Sequence, residues 1–463
     1  MRTKSPRVSS SRRARRVRRV HPDAAGIDCG SAEHYVAVPP ERDPQPVRAF
    51  KTFTGDLHTL IAWLQACRVT TVAMEATGVY WIPLYELLEA AGIEAVLVNA
   101  RHVKNVPGRK SDVSDCEWLQ ELHSVGLLRG SFRPAPAIAS LRAYLRHRDT
   151  LIRSAGMYTQ RMQKALIQMN LQLPLVVTDI TGVTGLKIVR AIVAGETDAT
   201  VLARHRDYRC AASEATIAAA LTGHYRPEYI FILQQNLALY EMCQQQIAEG
   251  DVMIERALRA LAAETPPPAT AAPPERARQK HMGNEPRFDM RTPLFQVTGV
   301  DLSQLDAIGP YAALRLISEI GTDMRRWPTE KHFTSWLTLA PKNRVSGGRL
   351  LSSRTQPSAN RAAALLRMVA MSLGRTQTAL GAYSRRLAAR IGKAKAVTAT
   401  ARKLAILVYR SLKHGLVYRD PGAAAYDLQH KTRVIRRLRQ RAAALGYGLV
   451  DLVPSPAPGG VVS

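Results

Sequence analysis

Three strand-like runs in succession, followed by alternating helical and strand-like segments, restrict the amino-terminal part of this chain to very few folds. AAGIDCG, starting at Ala24, is a short apolar run, and EHYVAVPP and PVRAFKTFT are β-like runs separated by proline-bearing turns. DLHTLIAWLQAC has the helical period, and TTVAMEATG is apolar again. A helix is expected from Tyr80 to Ala91, then EAVLVNA as a buried strand, then a helix opened by GRKSDVSDCEWL.

The order β-β-β-α-β-α-β-α is that of a ribonuclease-H-like (RuvC-like) domain, whose sheet begins antiparallel and ends parallel. Downstream the patterns are helical, so the fold class is α/β plus all-α. A helix from Ile138 to Met169 carries Leu141, Leu145, Ile152, Met162, Leu166 and Met169 on one face, with Arg142, Arg146, Arg148, Arg153 and Lys164 distributed around it. In a second long helix Ile230, Leu233, Leu237, Tyr240, Ile247, Ile254, Leu258 and Leu261 recur by threes and fours, with Gln244 and Asp251 at polar core positions. Such a run is either a coiled coil whose polar positions set register or partner number, or a helix packed inside its own domain. ETPPPATAAPPERARQK, with five prolines, is a linker. The divisions are a disordered basic arm at 1–22, the RuvC-like domain at 23–135, and a helical or coiled-coil region at 136–263. A Pro-rich linker follows at 264–290, then a compact, mainly helical domain at 291–422, and a basic helix with tail at 423–463.

Charge points to the partner. The 65 Lys and Arg against 37 Asp and Glu give a net charge of +28, which phosphates can neutralise, so nucleic acid is the expected ligand. The first 20 residues carry nine Lys or Arg and would add salt-dependent phosphate affinity. No apolar segment of signal-peptide or membrane-span character is present, and the five cysteines include no CxxC pair, so a reducing cytoplasm is expected, with neither a membrane, a structural zinc site nor a disulfide framework.

Against that basic background, Asp112 and Asp115 stand three apart in one helical turn, where like charges repel. An acidic first turn complements the helix dipole, which is one explanation. Asp28 at the end of the first strand and Glu75 near the end of another suggest a different one, because a carboxylate in or beside a central strand is costly to desolvate without a partner. If those strands are neighbours and the Asp112 helix crosses their ends, four carboxylates converge in an environment suited to two Mg2+ ions.

GIDCG with Asp28, VAMEATGVYW with Glu75, and GRKSDVSDCEWLQELHSVGLLRGSF with Asp112 and Asp115 resemble the DEDD motif of transposases of the insertion-sequence 110 family, relatives of pilin-gene-inverting recombinases. The likeness runs from residue 24 to residue 420, and the DxxD segment is its most specific part. LDAIGPYAALRLISEIG is similar to a helix-hairpin-helix element that holds a phosphate on backbone N–H groups, although Ala307 stands where a glycine is usual. WLTLAPKNRVSGGRLLSSRTQPSANRAAALLRMVAMSL places Ser346 before two glycines, with Arg344, Arg349 and Arg354 nearby. By composition it is a polar basic loop, in which glycines allow close approach to phosphate and arginines offset developing charge. The resemblance implies more, namely that Ser346 becomes covalently joined to DNA; Ser352, Ser353 and Ser358 are read as phosphate contacts or simply solvated.

The resemblance further implies a DNA transposase in a bacterial, nucleoid-associated cytoplasmic setting. Its metal-bound acids Asp28, Glu75, Asp112 and Asp115 would act with the serine, and Arg109, Lys110, Arg344, Arg349 and Arg354 would bind nucleic acid. It implies a homodimer or homotetramer whose active sites combine subunits, and a structured guide RNA that chooses the target. Two other functions remain open from the residues themselves. One is a metal-dependent nuclease or junction resolvase with water as nucleophile; the other is a basic nucleic-acid-binding protein without catalysis.

Overall fold

The computed structural model describes residues 18–76, 78–99, 112–268, 272–275 and 283–450, with backbone only at 112–114. The chain divides between Arg133 and Pro134 into two compact units. The first is a mixed α/β unit and the second is largely helical.

The first unit runs β1 (Ala24–Cys29), β2 (Glu33–Ala37), β3 (Val47–Lys51), α1 (Thr54–Ala66), β4 (Thr71–Glu75), α2 (Trp81–Ala90), β5 (Glu94–Val98) and α3 (Asp112–Ser124). Its sheet has the order β3-β2-β1-β4-β5. β1 and β2 pair antiparallel, as do β2 and β3, whereas β4 lies parallel to both β1 and β5. Side chains alternate across the sheet with period two. Ala25, Ile27 and Cys29 of β1 and Val72 and Met74 of β4 therefore enter one core with Leu60 and Leu64 of α1 and Leu84 and Leu88 of α2. Ala73 of β4 and Val98 of β5 face the other way, against Leu119 of α3.

Gly26 decides how closely α3 approaches. A Cβ at this position would stand 2.3 Å from both the Cys116 carbonyl oxygen and the Gln120 amide nitrogen. The helix backbone thus rests directly on β1, a use of strand glycine that permits close approach of another backbone. Gln120 Nε2 donates to the Ala24 carbonyl at 3.1 Å, His123 Nε2 lies 2.9 Å from Thr71 Oγ1, and the Ser124 carbonyl accepts from the amides of Val20 and His21. These contacts hold the end of α3 at the beginnings of β1 and β4. Its first turn accordingly lies toward the ends of those strands.

The second unit starts with α4 (Pro136–Gln168), α5 (Leu173–Val176), α6 (Val183–Val193), α7 (Ala199–Ala203), α8 (Glu214–Leu221) and α9 (Pro227–Ala263). Proline in the first turn of α4 and of α9 fits a position whose amide has no helical partner. The two long helices pack on each other. At the α9 end near Leu233 and Leu237, Met162 and Leu166 of α4 join Ile188, Ile192, Ile217 and Leu221 of the short helices in one core. Gln244, expected at a core position, is exposed, and Cys243 takes the buried place. The stripe steps by three residues there, from Tyr240 to Cys243, before continuing by four to Ile247.

Next come α10 (Arg291–Thr298), α11 (Pro310–Ile320), α12 (Glu330–Trp336), β6 (Arg344–Ser346), β7 (Arg349–Ser352), α13 (Arg361–Leu373), α14 (Ala379–Ile391), α15 (Lys393–His414) and α16 (Gly422–Ala444). α10 packs on α9, and α11 packs on α4. Arg148 of α4, only 2% exposed, binds these elements together. Its guanidinium pairs with Asp251 of α9, and its Nη1 donates to the Asn284 carbonyl at 2.8 Å and to the Tyr311 hydroxyl of α11 at 3.0 Å. Asp251, expected as a polar core position, is engaged in this pair. In the turn before α11, Ala307 has φ +60°, and no helix among the described residues is long and apolar enough to cross a membrane.

Substituting Gly26 by Ala forces backbone apart and should destabilise the first unit by about 2–3 kcal/mol, measured by urea unfolding. Replacing Ala307 by Gly relieves the left-handed conformation and should stabilise the second unit by about 0.5–1 kcal/mol after the glycine entropy cost; an unchanged or lower unfolding midpoint contradicts this. Burial, aided by the neighbouring His21, lowers the His123 pKa from 6.5 to about 4. The unfolded chain then binds the proton more readily, so this contribution is complete above pH 6.5 and is lost as pH falls toward 4. Wild type should lose roughly 3 kcal/mol more than His123→Gln across that window, as compared by urea melts.

Candidate active site

β1 and β4 are parallel neighbours with Ile27 opposite Met74, so Asp28 and Glu75 each stand one residue further along. Both are half-buried. The alternation that sends Ile27 and Met74 into the α1/α2 core turns Asp28 and Glu75 toward the face covered by α3. Two carboxylates of the sequence reading thus meet at one end of the sheet. Asp112 is the first residue of α3 and Asp115 is exposed one turn later. Their turn is directed to the same end by the contact at Gly26, but the Asp112 side chain lies outside the described residues.

Burial raises both thiols at this end, and the carboxylates beside them add to it. Burial, then Asp28, then Glu75, push Cys29 up to about 12. Cys116, the residue after Asp115, is also pushed up to about 12, chiefly by burial; the Glu117 backbone amide works against this, and the Glu117 and Asp28 carboxylates add to it. Asp28 is therefore felt both across the sheet and in α3. Asp28 and Glu75 carry hard oxygen donors of the kind that a cation of the Mg2+ type prefers. Among the described residues, no three His, Cys, Asp or Glu side chains form a group that could hold one metal ion.

Ser346 belongs to the second unit, on a β-hairpin where the sequence reading had a loop. It ends β6 opposite Arg349 of β7, and Gly347 and Gly348 connect the strands with φ of +54° and +75°. Positive φ at both central residues gives a tight turn matched to the twist of a two-stranded ribbon. The glycine pair is thereby explained by chain reversal, without any phosphate. Residues 341–350 are exposed throughout. Ser346 and Arg349, as cross-strand partners, share one face of the hairpin, while Val345 and Leu350 take the other. Arg344 begins β6, two positions before Ser346. Arg354, also exposed, follows the hairpin, with its carbonyl accepting from the Lys342 amide at 3.0 Å.

The remaining serines divide. Ser352 Oγ accepts from the Arg354 amide at 3.4 Å, Ser358 Oγ accepts from the Asn360 amide at 3.0 Å, and Ser353 is exposed. Arg109 and Lys110 lie outside the described residues. Sequence reasoning missed Gly26, although a glycine inside an otherwise apolar strand is itself a sign of close backbone approach. It also missed the His123–Thr71 contact, which no local pattern announces.

A family model for the IS110 DEDD group, described as a transposase, matches residues 25–171. A second, described as transposase of the IS116/IS110/IS902 family, matches residues 301–385. The first match includes Asp28, Glu75, Asp112 and Asp115, and the second includes Arg344, Ser346, Arg349 and Arg354. No curated protein matches the chain. With the acidic strand ends in one matched segment and the serine hairpin in the other, the chain belongs to the IS110 family of transposases.

Proposed function

We propose that this transposase cuts and rejoins DNA through Ser346, assisted by Asp28, Glu75, Asp112 and Asp115. The observation that carries the reading is the pairing of Asp28 and Glu75 on one face, at the ends of parallel neighbouring strands. In this reading the first unit is a ribonuclease-H-like domain, and the acids hold two Mg2+ ions. Bound metal would supply Lewis-acid stabilisation of the charge that develops on the transferring phosphoryl group. Asp28 and Glu75 contribute by holding hard oxygen donors at fixed strand positions; Asp115, exposed on α3, is accessible to a ligand from solvent.

Ser346 Oγ attacks phosphorus, forming an Oγ–P bond as the P–O3′ bond breaks. The serine proton is lost, and the departing 3′-oxygen gains one as a free hydroxyl. The resulting phosphoserine retains the energy of the broken diester, so attack by a 3′-hydroxyl reverses the step and rejoins DNA. Arg349, across the hairpin from Ser346, is suited to neutralise the phosphate, with Arg344 and Arg354 adding positive charge on the same segment. The further divisions of the second unit into a helical region at 136–263, a linker at 264–290 and a transposase domain at 291–422 belong to the same proposal. So do assembly through the long helices and guidance by a structured RNA, which high positive charge would serve as well as DNA.

A water-nucleophile enzyme is the second reading, favoured by the fact that the turn alone accounts for Gly347 and Gly348. On a nicked duplex trapped during cleavage, wild type should yield a covalent protein–DNA adduct that Ser346→Ala loses. Asp28→Asn or Glu75→Gln should reduce cleavage by roughly a hundredfold or more, and chelation should do the same. Full cleavage by Ser346→Ala, with the acid variants inactive, would establish water as nucleophile. If none of these substitutions alters cleavage or strand exchange, the acids and the serine have no catalytic part.

A further inference from the structure

Neither family match reaches α16, the last helix among the described residues. This helix has 23 residues and none of them is buried. Its first half is nevertheless anchored on α14. Arg386 Nη2 donates to Asp427 Oδ1 at 2.6 Å, the Arg386 guanidinium lies 5.3 Å from the Tyr426 ring centroid, and the Tyr383 and Tyr426 rings meet edge to face at 6.3 Å. From residue 428 to residue 450 there is no Asp or Glu, while Lys431, Arg433, Arg436, Arg437, Arg439 and Arg441 follow in close order.

Helical spacing at 100° per residue sorts this half into two faces. Val434 and Leu438 fall along one side, Arg433 and Arg436 lie opposite them with Arg437 alongside, and Arg441 stands at the border of the apolar side, one turn beyond Arg437. The cations at 433 and 436, 433 and 437, and 437 and 441 are neighbours three or four residues apart, so each pair opposes the helix. Among the described residues, none of Arg433, Arg436, Arg437 and Arg441 forms an ion pair with an acid. The field reaches the anchored half. Desolvation, and then Arg386 and Arg433, hold the His430 imidazole below its usual value, with Arg437 contributing as well. A solvated basic face alone leaves this repulsion uncompensated, whereas a polyanion laid along it would remove it.

We propose that the carboxyl-terminal half of α16 is a duplex-DNA-binding arm in which Arg433, Arg436, Arg437 and Arg441 neutralise backbone phosphates without reading sequence. The inference rests on the reading that the enzyme acts on DNA. From Lys431 to Arg441 the helix rises about 15 Å, a distance over which duplex DNA presents several phosphates. An α-helix enters the major groove of B-DNA, whereas the deep, narrow major groove of A-form RNA excludes it. Duplex DNA is accordingly the favoured occupant.

The test is equilibrium binding of the full chain to a random-sequence DNA duplex across a salt series, with wild type, the quadruple Arg→Gln variant at these positions, and the matching Arg→Lys variant. Gln and Lys are both good helix formers, and circular dichroism would verify retained helix content. The Gln variant should lower the slope of log affinity against log salt by about three to four, whereas the Lys variant should retain it. An unchanged slope in the Gln variant, or an equal loss in the Lys variant, overturns the arm. So does a loss confined to duplex RNA or to anionic lipid vesicles used as alternative ligands. Binding, not cleavage, is the readout, so the expected slope loss in a chain that cleaves nothing supports the arm while overturning the catalytic reading.

Discussion

The acidic end of the first unit depends on a missing methyl group. Because Gly26 has no Cβ, α3 lies with its backbone on β1, and the contacts of Gln120 and His123 orient it antiparallel to β1 and β4. Position and direction together bring the first turn of α3 toward the strand ends that carry Asp28 and Glu75. A bulkier residue would lift the helix from the sheet and shift its first turn relative to Asp28 and Glu75. The approach of these carboxylates therefore depends on an uncharged contact, that of Gly26 with the backbone at Cys116 and Gln120.

The second unit uses a charged group for a comparable purpose. Arg148 is buried among two long helices, a connecting segment and α11, and its planar donor set satisfies Asp251, the Asn284 carbonyl and the Tyr311 hydroxyl. Such pairs are weak evidence of net stability because desolvation opposes them. Their directionality is more informative. Apolar stripes alone allow α4 and α9 to slide by a turn, whereas a guanidinium with three defined partners accepts one register. Asp251 thus has a use within the chain, and subunit association need not be its reason for occupying the helix.

The order of strands and helices was legible because alternation and helical period are local signals, and Asp28, Glu75 and the start of the Asp112 helix could be placed on elements from them. Neighbouring of β1 and β4 followed from that order. Gly26 was harder to assign a role, since its meaning lies in a helix about ninety positions away. The four short helices between α4 and α9 also escaped notice, their apolar residues being few and their periods brief. At Gln244, extrapolating the helical stripe failed where the step shortened to three. For SGG, composition alone did not distinguish a phosphate loop from a chain reversal; both use glycine, and backbone angles separate them.

That reversal bears on when Ser346 acquires a defined direction. A two-stranded ribbon in water, without a third strand or a helix over either face, has little intrinsic stability, and every side chain from 341 to 350 is solvated. Its hydroxyl is therefore best held after the ribbon has settled against something else. In the proposed reading, a nucleophile disciplined only by its target would have few occasions to attack indiscriminately, and the exposed setting becomes a form of restraint.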